Sequence, residues 1–479
     1  MTITILVPPI LVGKRATERV AGCTYTLYPV PNIYELYTAA LLEKNGFTVK
    51  YVESVLNKWS ADDFIKFLQE DASDAYLTWT VNLGMVNDLK AHALIRSVKK
   101  GVPIIFTGPG PSYFIDKFLL DVNTYVVRGE PELTTLDLLK TLSSRGDLSK
   151  VASLSYKNGD KIINNPVRPL IENLDELPFP ARHLIDRDKY HNPKLKDSPY
   201  TAVLTSRNCP YRCIYCVPCS LSFAREIEYR RAHDNQKPPI RMRSVANVVA
   251  ELELLKSEGY RSVSFQDDLF IINEQRAIEL CQALKRLGFK WGCQSRSDKL
   301  SERVVAAMAD SGCQYIDIGV ESFDQKILDY IRKDIKLEDS INGIKLIKKY
   351  GILAKINVLF GTSPLETKET IQKTYKIIKD LDVDQVMFSI VSPFPGTDFY
   401  EMAKQNHWFV NNDYQPFDVQ KKAITNFPNL SNKELEHAVF VGNLKFFLNP
   451  RFVFKHLVRF RSLADFRTAC VALYRKLFA

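Results

Sequence analysis

Twice along the chain, short runs rich in β-branched residues alternate with longer helical patterns, and a proline-crowded stretch separates the two series. In the first series, strands are expected at Ile3–Val7, Thr48–Glu53, Ala75–Trp79, Ile104–Thr107 and Thr124–Val127. Helices are expected at Ile33–Lys44, Ala61–Glu70, Met85–Lys99, Ser112–Leu119 and Glu132–Leu142. This alternation predicts an α/β domain over residues 1–145 built on a doubly wound, Rossmann-like parallel sheet. Residues 146–199 carry a hairpin signal, Asn158-Gly159 between Leu154–Tyr156 and Lys161–Ile163, and then six prolines from Pro166 to Pro199. They read as a hairpin and an ordered linker. From 200 to 408 the alternation resumes, with strands expected at Thr201–Thr205, Ser262–Gln266, Lys290–Cys293, Tyr315–Gly319, Ala354–Phe360 and Gln385–Ile390. Six such units suit a partial (βα)6 barrel, whose working residues sit on loops after the strands. Residues 409–479 read as a basic, helical C-terminal region.

Composition narrows the setting. No apolar run reaches the roughly 18–20 residues of a membrane-spanning helix. Met1–Gly13 lacks the positive start of a signal peptide and reads as a first strand. Nine cysteines in a chain of this kind do not suggest a disulfide framework, so a reducing, cytoplasmic location is expected. The net charge is +10, yet residues 443–479 alone hold eight Lys/Arg against the single acid Asp465. No RNA-recognition module or finger accompanies that charge, and nucleic acid is not an expected partner.

The sharpest motif is Cys209-Pro-Tyr-Arg-Cys213-Ile-Tyr-Cys216, directly after the first strand of the second series. Three thiolates on one loop can face one centre. Structural zinc and ordinary electron-transfer clusters take four protein ligands, whereas three leave one iron open to an external ligand. Tyr215 can shield such a cluster. Cys219 follows closely enough that Cys213, Cys216 and Cys219 form an alternative trio, as in a zinc loop.

Further motifs fall at successive strand ends: Phe265-Gln-Asp-Asp-Leu-Phe270, Cys293-Gln-Ser-Arg-Ser-Asp298, Ile318-Gly-Val-Glu-Ser322, Phe360-Gly-Thr-Ser-Pro-Leu-Glu366 and Ser392-Pro-Phe-Pro-Gly-Thr397. In this order they resemble the radical S-adenosylmethionine (SAM) superfamily. The resemblance implies a [4Fe–4S] cluster on Cys209, Cys213 and Cys216, with SAM on the fourth iron and cleaved to a 5′-deoxyadenosyl radical. It implies that Asp268, Arg296 and Glu321 meet the ammonium, carboxylate and ribose of SAM. Gly361 belongs to the usual glycine-rich loop, in which Leu365 replaces one glycine. The resemblance singles out no catalytic residue.

The first domain ahead of such a barrel resembles the cobalamin-binding members of that superfamily. Gly108 and Gly110 in Thr107-Gly-Pro-Gly-Pro111, and Gly129 and Glu130 in Arg128-Gly-Glu-Pro131, match loops that frame the corrin's lower side and nucleotide tail. No histidine lies between Pro8 and Pro31 to serve as a lower cobalt ligand, and His92 reads as a surface residue of a helix. A degenerate domain without cobalamin is the alternative.

Two stretches remain. Cys219–Arg243 crowds six basic residues and reads either as a border of the active site facing an anion or as a solvated loop. Leu444–Arg461 mixes Phe452, Phe454 and Phe460 with Arg451, Lys455 and Arg459. It suits either a helix packed on the barrel or a peripheral membrane contact at the inner face. The leading expectation is a cobalamin-dependent radical SAM enzyme that methylates an unactivated carbon of a small molecule, with a lipid or isoprenoid among the substrate classes. A one-electron donor such as flavodoxin or ferredoxin is the implied partner. The alternatives are a different radical outcome (reductive cleavage, ring closure or oxidation) and, less favoured, a non-catalytic iron–sulfur module.

Overall fold

The computed structural model describes residues 1–411 and 422–457 of the 479-residue chain. Two compact units divide the chain. One comprises Met1–Pro210, Val217–Phe270 and Gln282–Trp291; the other comprises Tyr211–Cys216, Ile271–Cys281 and the chain from Gly292 onward.

The first sheet contains β1 (Thr2–Val7), β2 (Thr48–Glu53), β3 (Ala75–Trp79), β4 (Ile104–Thr107), β5 (Thr124–Val127), β6 (Leu154–Asn158) and β7 (Lys161–Asn164), in the order β2-β1-β3-β4-β5-β6-β7. The strands β1 to β5 pair in parallel. Strict side-chain alternation explains why helices cover both faces. Ile3, Ile5 and Ile105 enter one core with Leu42, Leu138 and Leu139. Leu6, Ile104 and Phe106 enter another with Phe64, Leu68 and Ile95. This is the doubly wound arrangement expected, with its topological switch between β1 and β3.

Three local expectations change. The hairpin β6–β7, read as part of the linker, extends the first sheet by antiparallel pairing to β5. An edge strand left bare is a site of unwanted pairing, and the hairpin covers it. The helix expected at Ser112–Leu119 is two short helices, Pro109–Tyr113 and Ile115–Phe118, broken at Phe114 by a non-helical backbone. His92 is buried, not on the surface. Its helix, Met85–Val98, turns Asp88, Ala91, His92 and Ile95 inward. The ring lies 5.8 Å from that of Phe106 and its Nε2 is 3.1 Å from the Thr124 hydroxyl. Burial, followed by the nearby Arg96, lowers its pKa to about 4.

The linker folds back rather than dangling. Arg182 and Arg243 both bond Glu251, a fully buried residue of the helix Val245–Ser257. Beyond the linker come β8 (Tyr200–Val203), then the antiparallel pair β9 (Ser206–Arg207) and β10 (Arg241–Met242). There follow β11 (Ser262–Phe265), β12 (Lys290–Ser295), β13 (Cys313–Glu321), β14 (Leu353–Phe360) and β15 (Gln385–Ile390). The second sheet has the order β15-β14-β13-β12-β11-β8, with β8 and β15 as its edges. The pairs β8–β11, β13–β14 and β14–β15 are parallel. The six expected strands are present, and an open, barrel-like succession of βα units follows from them.

The helix Asn432–Phe447 seats Gly442 against Tyr375 and Phe388, where a Cβ would approach the Phe388 ring to 3.2 Å. Phe446 meets Phe452 at 4.8 Å between ring centroids. The first part of the basic aromatic segment thus packs on its own chain. The part from Val458 onward lies outside the described residues.

Burial opposes the charge of Glu251, but Arg182 and Arg243 together hold its carboxyl below the usual carboxylate range. Removing one member of such a buried set strands the other charges. Glu251→Ala should therefore cost about 3–5 kcal/mol in urea unfolding. Glu253→Ala, which removes an exposed pair with Arg286, should cost less than about 1 kcal/mol. Equal effects of the two variants would contradict this account.

Candidate active site

In the first unit, the carboxyl ends of β1 and β3 gather buried polar groups that the sequence patterns did not flag. Arg19 bonds both oxygens of Asp88 at 2.8 and 2.9 Å and also reaches the Trp79 carbonyl. The Thr80 hydroxyl donates to Asp88 at 2.8 Å. Glu35 accepts from the Trp79 N–H at 3.0 Å and from the Tyr51 hydroxyl at 2.9 Å. Burial pushes the Glu35 carboxyl up to about 7, against the pull of Arg19. Burial and then Glu35 push Glu53 up to about 8. Asn82, just past β3 and only 1% exposed, has neither its amide nitrogen nor its oxygen hydrogen-bonded. An orphaned buried amide at the switch point of a parallel sheet marks a place where a further group would be satisfied.

Gly108 and Gly110 lie on the loop after β4. Gly108 has φ 98°, and a Cβ there would stand 2.6 Å from the Thr80 carbonyl oxygen. Only glycine lets this loop lie against the β3 end. Gly129 lies after β5 against Glu228 of the helix Ser220–Ala232. Glu130 is the centre of an ion-pair network. It accepts from Arg207 at 2.8 Å, from Arg225 at 3.2 Å and from Arg241. Burial opposes its charge, but Arg207 and Arg241 keep the carboxyl low. Arg207 also bonds Glu132 at 2.6 Å, and Arg128 bonds Glu228 at 2.8 Å.

The stretch Cys219–Arg243 is therefore not a solvated loop. It begins with a helix, and its buried arginines Arg225, Arg241 and Arg243 are engaged by acids of the same unit. A crevice of about 20 Å³ beside Gly129 and Arg225 has room for one water and no larger group.

The cysteine loop starts after Asn208, whose φ of 75° bends the chain into it. Cys209, Cys213 and Cys216 are each half-buried, and the Cys216 N–H closes a turn on the Cys213 carbonyl at 3.2 Å. Cys219, the fourth cysteine, is half-buried like the other three. The Cys219 N–H donates to Asp268 Oδ1 at 2.6 Å, and its sulfur is 3.3 Å from the Ser222 hydroxyl. Burial, followed by Asp268, raises the Cys219 thiol pKa. Asp267 caps Thr205 and Ser206 and is wholly buried. Asp268 keeps Oδ2 buried without a hydrogen bond.

In the second unit, Arg296 stacks on Tyr211 at 3.5 Å and bonds Asp298 through Nε and Nη2. It also reaches the carbonyls of Lys333 and Asp334 at 2.7 and 2.8 Å. Glu321 ends β13 at a β-bulge and has φ 66°. Bulges re-aim side chains, and here the carboxylate meets the Lys333 ammonium at 2.9 Å. Lys333, buried and absent from the sequence reading, also lies 3.4 Å from the Tyr215 hydroxyl. Its only sequence signal is Gly319, whose absent Cβ leaves room for the Glu321 carboxylate and the ammonium. Gly361 follows β14 and donates its N–H to Glu366, whose carboxyl burial pushes up to about 8.

Residues 203–378 match the model of the radical SAM superfamily. An uncharacterized methyltransferase of Pyrococcus horikoshii is 29% identical over 462 residues, covering 95% of each chain. The anaerobic magnesium-protoporphyrin IX monomethyl ester cyclase of Rubrivivax gelatinosus is 22% identical, covering 93% of this chain and 79% of that one. Among solved structures, the cobalamin-dependent S-adenosylmethionine radical enzyme OxsB, with aqua-cobalamin and S-adenosylmethionine bound, superposes with a TM-score of 0.70 at 17% identity. The match covers 99% of this chain and 70% of OxsB. That likeness is one of fold.

The close fit around Gly319 is testable by itself. A methyl group there collides with the Glu321 carboxylate, so Gly319→Ala should lower stability by about 1–3 kcal/mol. The penalty should shrink when Glu321→Ala is added, because the two changes share one contact. Simple additivity in a double-mutant cycle would show that the crowding is elsewhere.

Proposed function

We propose that this chain, whose barrel is a radical SAM domain, is a cobalamin-dependent radical SAM methyltransferase acting on an unactivated carbon of a small-molecule substrate. The observation that carries the proposal is the three-cysteine loop after the first barrel strand. It stands in a chain whose preceding sheet presents a polar, partly orphaned edge at its topological switch.

The donor set fits the cofactors. Among the described residues, no three His, Cys, Asp or Glu side chains converge as ligands of a single ion do. Three half-buried cysteines on one loop can each take one iron of a cubane cluster, which suits Cys209, Cys213 and Cys216. When bound, the cluster would supply an electron to SAM and cobalamin would carry the methyl group. The protein's part is to bind, orient and exclude water. Asp268 offers the unoccupied Oδ2 to an ammonium. Glu321, aimed by its bulge, offers a carboxylate to a ribose. Arg296, assigned to a carboxylate by resemblance, reads as a clamp of the loop behind the site. Asn82, with the loops of Gly108 and Gly110, offers the corrin edge its hydrogen bonds, and Gly129 and Glu130 form the scaffold behind it. The first loop has no histidine and His92 is buried, so the proposal includes no protein imidazole on cobalt. A radical reaction ending without methylation is the second reading, consistent with the likeness to the cyclase.

The test is anaerobic reconstitution with iron, sulfide and hydroxocobalamin. The protein should hold about one cluster with one iron left open. Ala at Cys209, Cys213 or Cys216 should abolish it, while Cys219→Ala should leave the iron nearly intact. With SAM and reductant, 5′-deoxyadenosine together with S-adenosylhomocysteine indicates radical methylation. Deoxyadenosine alone favours the second reading, and neither product rejects both.

A lipid-like substrate met at a membrane surface is the finer reading of the partner. It is supported by the eight basic residues in 443–479 and the exposed Leu448 and Val453. Each Lys or Arg near an anionic surface contributes about 1 kcal/mol. Full-length protein should sediment with anionic vesicles at low salt, and a chain ending near Gly442 should not. Equal behaviour of the two would leave a water-soluble substrate as the reading.

A further inference from the structure

We infer that Asn357 recognises the substrate, accepting a hydrogen bond from an N–H or O–H group beside the carbon that reacts. This rests on the proposed function and deepens it by naming the chemistry of the substrate's reacting end.

A parallel sheet covered by helices on both faces carries apolar residues at nearly every position. The strands β13, β14 and β15 depart from that rule. Ile316, Ile318, Ile356, Val358, Val386 and Phe388 alternate along them and are buried. Theirs is the face that meets helices. The Phe388 ring packs edge-on against Tyr375 of the helix Lys368–Leu381 and lies beside Gly442 of the helix Asn432–Phe447. The intervening residues Asp317, Lys355, Asn357, Leu359, Gln385 and Met387 are each half-buried. A mostly polar, partly open face of this kind suits a ligand better than a packed core.

The strand register sorts that face into rows. Asp317, Lys355 and Gln385 stand side by side, and one step nearer the strand ends come Gly319, Asn357 and Met387. In the first row the Lys355 ammonium meets Asp317 Oδ2 at 3.1 Å, so charge is answered by charge. In the second row no neighbour offers Asn357 a donor, for Gly319 has no side chain and the thioether of Met387 donates no hydrogen bond. Asn357 Oδ1 is accordingly buried without a hydrogen bond. A buried acceptor of this kind costs stability, and its retention points to a further group that answers it. The register also gives that group its place. Asn357 pairs with Gly319, and two residues further along β13 is Glu321, the carboxylate offered to the ribose. Asn357 therefore stands beside the proposed SAM contacts without being one of the charges that hold SAM. The group that answers it is an amine, amide or hydroxyl of the molecule to be methylated. A site built around such a bond rejects analogues that lack the donor.

The experiment uses protein loaded with cluster and cobalamin, methyl-labelled SAM, reductant, and a protein-free extract of the cells that make this protein. The extract is divided into water-soluble and chloroform-soluble fractions, which separate a soluble substrate from the polar end of a lipid. Mass spectrometry then locates the methyl group in the labelled product. The methylated carbon should carry, or adjoin a carbon that carries, an N–H or O–H group. Asn357→Leu should lower labelled product at least tenfold while iron content and the SAM dissociation constant stay within about twofold. Its unfolding temperature should equal or exceed that of wild type, because the change removes a buried acceptor that has no partner. Asn357→Asp, which keeps the acceptor, should retain most of the product. Should Asn357→Leu lose its iron, Asn357→Ala carries the same test. Three results overturn the inference and leave the proposed function standing: undiminished product in both apolar variants, product that falls only in step with SAM affinity or stability, or a methyl group on a hydrocarbon stretch remote from any N–H or O–H. Absence of labelled product from both fractions in wild type overturns both.

Discussion

Carboxylates buried among arginines give the loops of this protein their fixed shapes. Taking a charge out of water is costly, and a buried pair holds only where every donor and acceptor is placed. Glu251 with Arg182 and Arg243, and Glu130 with Arg207, Arg225 and Arg241, join long stretches of chain in this way, and the second set leaves Arg225 Nε and Nη2 and Arg241 Nε buried without a hydrogen bond. Arg19 and Asp88 do the same at the end of β3. Each network fastens a loop that hydrophobic contact alone could not hold in one conformation. The parallel strands give the loops a common edge, and the ion pairs decide how the loops lie upon it.

The same logic operates with backbone carbonyls in the barrel. Arg296 uses its guanidinium on Asp298 and on two carbonyls, so a loop with two left-handed residues stays in place. The bulge that ends β13 turns Glu321 toward the ammonium this loop delivers. A charged residue conspicuous in the sequence thus braces a loop, while an inconspicuous lysine on that loop pairs with Glu321.

Local chemistry determined much of this protein from the sequence alone. β-Branched alternation places all eleven expected strands of the two series within two residues of their ends, because period-two burial is a property of neighbours along the chain. The cysteine spacing and the order of the strand-end motifs are equally local. Tertiary structure decided what depends on partners far away. The hairpin was legible, but its joining β5 was not, since nothing in its own residues names the edge it covers. His92 read as a surface residue of its helix, and the packing of that helix against Phe106 buries it. The arginines after Cys219 looked available because Glu130 lies 95 residues from Arg225 in the chain. Lys333 could not be found at all, for its position follows from bonds made by Arg296 and Ile214, neither of which adjoins it in sequence.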